Sequence, residues 1–341
     1  MHERSLIKLK SIFTDKIILI LGSTGFAGSH LADLVNTLNC RLVLTRRHNS
    51  NLANVRQLMG SKNVEWDYLD ILDSNSCDLL IKKYKPNYIF HLAANSWVTP
   101  SWDMPNLYFQ TNALGTVNIF ESIRKYSSES KTLISCTPEE YGDVSPTDLP
   151  ITEKTKIHPI NPYAASKVAQ EMIALAWEAS YGLNVIRTRV FNHEGPRRSV
   201  LGANSSFAYQ IAKIENKLQS PILKVGNLSA LRNFTSVYDI AEAYLIAMEK
   251  GIKGNLYLIG NEKNHTMRET LDILLGHSTV KNIKVEVDAS KIRPTELNNF
   301  VGDFTKFTSL TGWKPKKNIN EILLDTLNYW RAEVKNRNYI I

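Results

Sequence analysis

Residues 16–30 read Lys-Ile-Ile-Leu-Ile-Leu-Gly-Ser-Thr-Gly-Phe-Ala-Gly-Ser-His, and the fold class follows from them. Residues 17–21 are apolar and end at a glycine, which predicts a short buried strand. Gly22, Gly25 and Gly28 then lead into a helix. Glycines at this spacing let the backbone approach a pyrophosphate, and the free N–H groups of the helix start bind it. The stretch therefore predicts a dinucleotide site at the start of a β-α-β unit.

The rest of the first half repeats this alternation of strand and helix. Further short apolar strands are expected at residues 41–45, 64–70, 87–94, 132–135 and 184–191. Strands that alternate with helices form a doubly wound parallel sheet, because each crossover helix packs on one face of the sheet. The sequence thus predicts an α/β fold, a doubly wound parallel (Rossmann) sheet with a smaller, discontinuous α/β substrate-binding domain.

The predicted domains are discontinuous in the chain. Residues 14–191 form the dinucleotide-binding domain, with a short return at about 228–250. Residues 192–227 and 251–333 form the smaller domain, because basic and amide side chains are scattered there over short elements, as suits an anionic ligand. Residues 1–13 are expected to be an N-terminal extension.

Two arginines follow the second predicted strand. Dinucleotide sites that select NAD place an acidic residue there for the ribose hydroxyls, whereas this chain has Arg46 and Arg47. Guanidinium groups bind phosphate through charge-assisted hydrogen bonds. The pair therefore favours NADP over NAD, although two solvent-facing arginines are the alternative.

A second motif lies at residues 161–167, Asn-Pro-Tyr-Ala-Ala-Ser-Lys. Proline is tolerated in the first turn of a helix, and the apolar positions that follow have helical spacing, so Tyr163 and Lys167 are expected one turn apart on one face. An ammonium group nearby stabilises phenolate over phenol, which allows a tyrosine to act as a base near neutral pH. The spacing alone also fits a solvated lysine on an amphipathic helix.

The strand predicted at residues 132–135 ends beside this pair. Ligands of open α/β sheets bind at the carboxyl ends of the strands, so Thr137 and Glu139 are expected to emerge at the same edge. Glu140 is interpreted as the solvated neighbour of Glu139. A long helix is expected at residues 97–126, broken near Pro100 and Pro105. Asn112, within this helix, either faces inward or is a surface amide.

Composition excludes several classes of protein. The net charge of +8 invites a nucleic-acid interpretation, but the basic residues are not gathered into a stripe. No 20-residue apolar run is present, so no membrane span is expected. The three cysteines lack metal-ligand spacing, so neither a metal site nor a disulfide framework is indicated, and a cytoplasmic location is expected.

These motifs together resemble the extended short-chain dehydrogenase/reductase family. Within it, the best fit is the group that acts on GDP-sugars, because residues 191–198, Phe-Asn-His-Glu-Gly-Pro-Arg-Arg, resemble the nucleotide-sugar signature of the GDP-mannose 4,6-dehydratases. The resemblance covers about residues 14–333. It implies that Thr137, Tyr163 and Lys167 form the catalytic triad and that Glu139 is a further catalytic base.

The resemblance also implies the ligand contacts. Asp70 is expected to reach the adenine amino group. The full set of cofactor-binding residues implied is Gly22, Thr24, Gly25, Phe26, Gly28, Arg46, Arg47, Asp70, Ile71, Leu92, Ala93, Ala94, Tyr163, Lys167, His193 and Arg198. The substrate-binding residues implied are Ser96, Asn192, Lys224, Arg232, Arg293 and Glu296.

The predicted activity is an NADP-dependent GDP-sugar 4,6-dehydratase that forms a 4-keto-6-deoxy sugar nucleotide. Residues 93–102 and 223–234 are closer to the reductases, so a GDP-4-keto-6-deoxymannose 4-reductase is the first alternative. A nucleotide-sugar 4-epimerase is a further alternative. A non-enzymatic dinucleotide sensor fits less well, since both Tyr163 and Lys167 are present. A homodimer or homotetramer is expected, without nucleic-acid or membrane partners.

Overall fold

The strands come mainly from short apolar runs. The computed structural model describes residues 11–295, 297 and 299–336. Within them the strands are β1 (Ile17–Leu21), β2 (Arg41–Arg46), β3 (Val64–Tyr68), β4 (Tyr88–His91), β5 (Lys131–Cys136), β6 (Asn184–Val190), β7 (His193–Glu194), β8 (Ile222–Val225), β9 (Leu231–Asn233), β10 (Thr235–Ser236), β11 (Leu256–Ile259), β12 (Asn264–Thr266) and β13 (Lys284–Val287).

The helices alternate with these strands as predicted. They are α1 (Phe26–Val35), α2 (Ser74–Tyr84), α3 (Val98–Asp103), α4 (Pro105–Phe109), α5 (Gly115–Tyr126), α6 (Pro162–Tyr181), α7 (Ala203–Glu215), α8 (Val237–Lys250), α9 (Met267–His277), α10 (Thr305–Thr311) and α11 (Ile319–Asn336). None of the described helices is long and apolar enough to span a membrane.

The larger sheet is parallel throughout, in the order β11-β6-β5-β4-β1-β2-β3. Helices α1 and α8 pack on one face, and α2, α5 and α6 pack on the other. Side chains of β1 alternate between the two resulting cores: Ile18 and Ile20 enter one, and Leu19 and Leu21 enter the other. Burial on both faces explains why the strand is a continuous apolar run.

The helical segment expected at residues 97–126 is divided into three pieces. The break lies at Met104, where Pro105 begins α4 and lacks the N–H that would continue α3. Pro100 lies in the first turn of α3, where proline is tolerated, so no break occurs there. A π-turn at Gln110–Leu114 joins α4 to α5.

Short elements of the second half form a smaller lobe beside the sheet. It contains the parallel pair β8/β13, the antiparallel pair β9/β12, and helices α7, α9 and α11 around a core of their own. The structure differs from the predicted domain boundary in three places. Strand β9, expected in the larger domain, lies in the smaller lobe. Phe307 and Trp313, expected in the smaller domain, pack in a core of the larger sheet. Residues 256–259, expected in the smaller domain, form β11 of the larger sheet because this fully buried apolar run pairs with β6.

Strand β11 is the outer strand of the sheet on this side. Its outward backbone groups are bound by two charged side chains. The Leu258 N–H donates to Glu153 Oε1 at 3.2 Å, and Lys306 Nζ donates to the Leu256 carbonyl oxygen at 2.8 Å.

Candidate active site

The glycine turn after β1 leaves no room for side chains. Gly22 has φ +82°, and a Cβ there would lie 2.7 Å from the Ala93 nitrogen. A Cβ on Gly28 would lie 2.2 Å from the Gly22 carbonyl oxygen, so α1 packs directly on the turn. The N-terminus of α1 has no side-chain cap at Gly25, which leaves its N–H groups for a ligand. This geometry fits a dinucleotide pyrophosphate.

A cavity of about 930 Å³ opens at the carboxyl ends of β1, β2, β4 and β5. Every residue predicted to bind the cofactor lines it, as do the four predicted catalytic residues. Of the predicted substrate-binding residues, Ser96, Asn192, Arg232 and Arg293 line the same cavity. Glu296 lies outside the described residues. A single cavity thus holds both predicted ligand sites.

Lys224 is placed differently from its prediction. It is exposed on β8 and is not among the residues that line the cavity. Side chains alternate along a strand, so the neighbours Leu223 and Val225 enter the core while Lys224 points away. Lys291, after the parallel partner strand β13, lines the cavity instead.

The predicted triad is assembled by α6 and the end of β5. Asn161 caps α6 by accepting the Ala164 N–H at 2.8 Å, which starts the helix just before Tyr163. Thr137 and Tyr163 line the same cavity. Burial raises the pKa of Tyr163, with the carboxylates of Glu139 and Glu140 acting in the same direction, while the Thr137 side chain lowers it. The phenol is therefore protonated at neutral pH.

Lys167 lies on the same helix but is engaged elsewhere. Its ammonium donates to the Ser135 carbonyl oxygen at 2.6 Å and to the Gln170 side-chain oxygen. Burial lowers the pKa of Lys167. The sequence predicted an ammonium that lowers the pKa of Tyr163, and the structure differs because burial of the phenol outweighs the favourable interactions.

Glu139 and Glu140 have opposite environments. Glu139 lines the cavity, and its Oε2 accepts a hydrogen bond from Asn161 Nδ2 at 3.1 Å. The interpretation of Glu140 as a solvated residue is wrong, because its side chain is completely buried. Its Oε1 accepts the Thr137 N–H at 3.1 Å, and its Oε2 lies 3.0 Å from Arg189 Nε.

Arg189 links Glu140 to helix α6. Its guanidinium donates to both oxygens of Glu171, at 2.9 and 3.0 Å. Burial and the Glu171 carboxylate raise the pKa of Glu140 to about 8, although Arg189 opposes this effect. The Glu140–Arg189–Glu171 cluster therefore joins the Thr137 turn, strand β6 and the helix that carries Tyr163 and Lys167.

Sequence reasoning missed other polar groups of the site. Asn112, left open between two interpretations, is buried and donates to the Asn95 carbonyl oxygen at 3.0 Å and to the Ser166 hydroxyl at 2.9 Å. Asn204, at the start of α7, is buried and lines the cavity, and neither polar atom of its side chain has a partner among the described residues. No motif in the sequence marks Asn204.

The segment after β6 closes the cavity against α1. The His193 ring stacks on Phe26, with ring centroids 5.4 Å apart. The Arg198 guanidinium lies 5.2 Å from the centre of the Phe26 ring and 5.1 Å from that of Trp97. Glu194 pairs with Arg198 Nε at 2.9 Å, yet burial raises the pKa of Glu194 to about 7.

A parallel sheet, a glycine turn and a Thr-Tyr-Lys group at one cavity define an extended short-chain dehydrogenase/reductase. The chain belongs to the GDP-mannose 4,6 dehydratase family, whose profile matches residues 19–326. The predicted family, fold class and enzyme class are thereby confirmed.

The relatives include both a reductase and a dehydratase, the two activities that the sequence analysis considered first. The chain is 31% identical over 250 residues to GDP-6-deoxy-D-mannose reductase of Pseudomonas aeruginosa, covering 73% of this chain and 82% of the relative. It is 28% identical over 321 residues to GDP-mannose 4,6 dehydratase 1 of Arabidopsis thaliana, covering 90% and 88%. The solved structure of RMD from Pseudomonas aeruginosa, complexed with NADPH, matches with a TM-score of 0.78 at 27% identity, covering 93% of this chain and 99% of that one.

Proposed function

We propose that the protein is an NADP-dependent GDP-sugar 4,6-dehydratase that forms a 4-keto-6-deoxy sugar nucleotide. The observation that carries this proposal is the position of Glu139, which lines the same cavity as Thr137 and Tyr163. A dehydratase needs a base for the C5 proton in addition to a group that handles the C4 hydroxyl proton. A ketone reductase needs only the latter.

The cofactor would be held by the glycine turn, by Arg46 and Arg47 at the end of β2, and by Lys167. When bound, the cofactor would accept a hydride from C4 of the sugar on its nicotinamide ring and would later give it to C6. The cramped glycine backbone and the uncapped start of α1 support a pyrophosphate at the turn. The two arginines support a phosphate on the ribose, and therefore NADP rather than NAD.

Tyr163 would exchange the proton of the C4 hydroxyl, with Thr137 hydrogen-bonded to the same oxygen. Glu139 would remove the C5 proton once C4 is a ketone and would give it to the C6 hydroxyl, which leaves as water. When hydride returns to C6, C5 would take up a proton from solvent, which balances the proton released by the C4 hydroxyl. Asn161 Nδ2 holds the Glu139 carboxylate in place. Lys167 would orient the cofactor while its bonds to Ser135 and Gln170 fix the ammonium.

The smaller lobe would hold the nucleotide sugar. Arg232 and Arg293 line the cavity and provide positive charge for the diphosphate. Asn192, Ser96 and Glu296 remain predictions for substrate contacts, and the unpaired amide of Asn204 adds a buried donor and acceptor on the same wall.

The test is incubation with GDP-mannose in deuterated water, with and without added NADPH. A dehydratase forms the 4-keto-6-deoxy product without net NADPH consumption and incorporates deuterium at C5. Glu139→Gln should stop both product formation and exchange, whereas the exposed Glu129→Gln should leave them unchanged. Stoichiometric NADPH oxidation with a 4-keto substrate, together with a fully active Glu139→Gln, would refute the dehydratase.

The second candidate is the GDP-4-keto-6-deoxymannose 4-reductase. The raised pKa of Tyr163 favours it, because a reductase needs a protonated group that donates to the alkoxide formed at C4. The reductase relative at 31% identity points the same way. The two activities differ in NADPH consumption, so the incubation above separates them.

A homodimer or homotetramer remains part of the proposal, as does a cytoplasmic location. Large apolar side chains are exposed on α4, the π-turn and α6, at Leu107, Phe109, Leu114 and Met172. A second copy would cover this patch. The three buried free cysteines are compatible with a reducing compartment. Light scattering of the wild type and of a Leu107→Glu/Leu114→Glu variant tests the assembly.

A further inference from the structure

Arg46 is held by a tyrosine of the neighbouring strand. Strands β2 and β3 pair in parallel with Arg46 opposite Tyr68. Arg46 Nη2 donates to the Tyr68 hydroxyl at 2.9 Å, and the guanidinium carbon lies 4.7 Å from the centre of the ring. Arg46 thus donates a hydrogen bond to Tyr68 and makes a cation–π contact with the same residue, which restricts the guanidinium to one orientation.

The Tyr68 ring is itself supported. The His48 ring stacks on it, with centroids 4.1 Å apart and an angle of 15° between the planes. Tyr68 is nearly half exposed, so this stack is not part of the hydrophobic core. Tyr68 and His48 therefore fix the position of Arg46 from outside the core. Arg46 lines the cavity, whereas Tyr68 and His48 do not.

Arg46 retains a donor without an acceptor. Its Nε–H is buried and has no hydrogen-bond partner within the part of the chain that the structure describes. An unsatisfied buried donor is costly, and a phosphate oxygen would satisfy it with a charge-assisted bond. Next to it, the Arg47 N–H donates to the Ser50 hydroxyl at 2.9 Å, which shapes the loop where Arg47 and Ser50 line the cavity.

We propose that Tyr68 and His48 are positioning residues for a phosphomonoester on the ribose of the cofactor: they hold Arg46 so that its free Nε–H faces that phosphate. This inference rests on the proposed preference for NADP and extends it to two residues that do not touch the ligand. Tyr68 acts through its hydroxyl and ring on Arg46, and His48 acts through Tyr68.

The experiment measures the binding of 2′,5′-ADP and of 5′-AMP by calorimetry, because these probes differ only in the phosphate on C2′ of the ribose. Tyr68→Phe removes one net hydrogen bond to Arg46 and should weaken 2′,5′-ADP by roughly two- to tenfold. Tyr68→Leu also removes the cation–π contact and should weaken it by a further factor of roughly two to five. His48→Ala should have a smaller effect in the same direction. 5′-AMP binding should stay within about twofold in all three variants, since no phosphate on C2′ is present to bind Arg46.

Tyr181 offers a matched control. It is exposed, and Arg124 lies over its ring at 5.0 Å, but it does not line the cavity. Tyr181→Phe and Tyr181→Leu should leave both affinities unchanged. Equal losses for 5′-AMP and 2′,5′-ADP in the Tyr68 variants, or no loss for either, would overturn the role of Tyr68. A wild type that binds both probes equally would instead refute the NADP preference itself.

Discussion

Glu139 and Glu140 are adjacent and chemically identical, yet they lie on opposite sides of the turn that follows β5. On the cavity side, Glu139, Thr137 and Tyr163 face the space where a substrate would bind. On the hidden side, Glu140 and Glu171 enclose Arg189 and are removed from solvent. Two glutamates thus have different roles: Glu139 is placed for catalysis, and Glu140 stabilises the fold.

The comparison shows that the hidden side sets the geometry of the cavity side. Glu140 binds the Thr137 amide, and Glu171 lies on α6 one turn after Lys167. Arg189 joins the two carboxylates, so the relative position of Thr137 and Tyr163 depends on it. The charge of Glu139 on the cavity side should therefore affect turnover without affecting stability, and the charges on the hidden side should affect stability first.

The largest effect is expected on the cavity side. Tyr163→Phe removes the only ionisable atom of the phenol and should lower kcat by up to about 10⁴-fold, the upper range for general acid–base catalysis. The folded structure and cofactor binding should be retained. Steady-state kinetics with thermal denaturation and cofactor titration measure both, with Tyr181→Phe as the control. A variant with more than about a tenth of the wild-type rate would assign the proton transfer to another residue.

The hidden side is tested by Arg189→Met. Removing the cation leaves the buried Glu140 without a cationic partner and Glu171 with Arg187 alone, and breaking a buried pair costs about 3–5 kcal/mol. Urea denaturation should show this loss in the free energy of unfolding. Arg124→Met, which breaks an exposed pair with Glu121, should leave the denaturation midpoint unchanged. A stability loss near zero for Arg189→Met would mean that the cluster does not hold the fold.

Glu194 sharpens the comparison because it is a buried carboxyl group on the cavity side. Burial raises its pKa from the ordinary 4.5 to about 7. The native state thus favours the protonated acid, so the stability from this group is complete below pH 4.5 and is lost as pH rises to about 7. The loss is about 3 kcal/mol, because each pKa unit corresponds to about 1.4 kcal/mol.

Glu194→Gln keeps the shape and cannot ionise. Relative to the wild type, it should gain about 2–3 kcal/mol of unfolding free energy between pH 5 and pH 8. Denaturant titrations at both pH values measure the difference, with the exposed Glu262→Gln as a reference. Parallel pH dependence of the wild type and Glu194→Gln would show that Glu194 is ionised in the native state.

The smallest effect separates Arg293 from Lys224. Both were predicted to bind substrate, but only Arg293 lines the cavity. Arg293→Met should weaken GDP binding roughly tenfold, or about 1.4 kcal/mol, whereas Lys224→Met should change it by less than about twofold. Calorimetric titration with GDP measures both affinities. Equal losses of GDP affinity in the two variants would show that Lys224 also binds the substrate.

The sequence predicted the elements whose signals are local. The apolar runs, Gly22, Gly25 and Gly28, and the start of α6 at Pro162 depend on neighbouring residues, and the structure has them as expected. The strand at residues 256–259 was assigned to the wrong unit because its pairing with β6 joins residues far apart in the chain. Apolar periodicity does not record such pairing.

The site was predictable only where a motif marked it. Thr137, Glu139, Tyr163 and Lys167 meet at the cavity because the strand end and the helix start are both visible in the sequence. The burial of Glu140 could not be predicted from the sequence, because it depends on the ion pair with Arg189, which lies on β6. Likewise the pKa of Tyr163 follows from burial in the assembled fold rather than from the spacing of Tyr163 and Lys167.

The hydrogen bonds at the outer strand β11 bear on how copies of this protein behave when crowded. An outer strand with free N–H and carbonyl groups can recruit a strand from another molecule and begin intermolecular sheet growth. Here the Leu258 N–H is bound by Glu153 and the Leu256 carbonyl oxygen by Lys306. An incoming strand would have to displace two charged side chains before it formed its first pair. The buried apolar run Leu256–Ile259 is thereby kept from acting as an aggregation template.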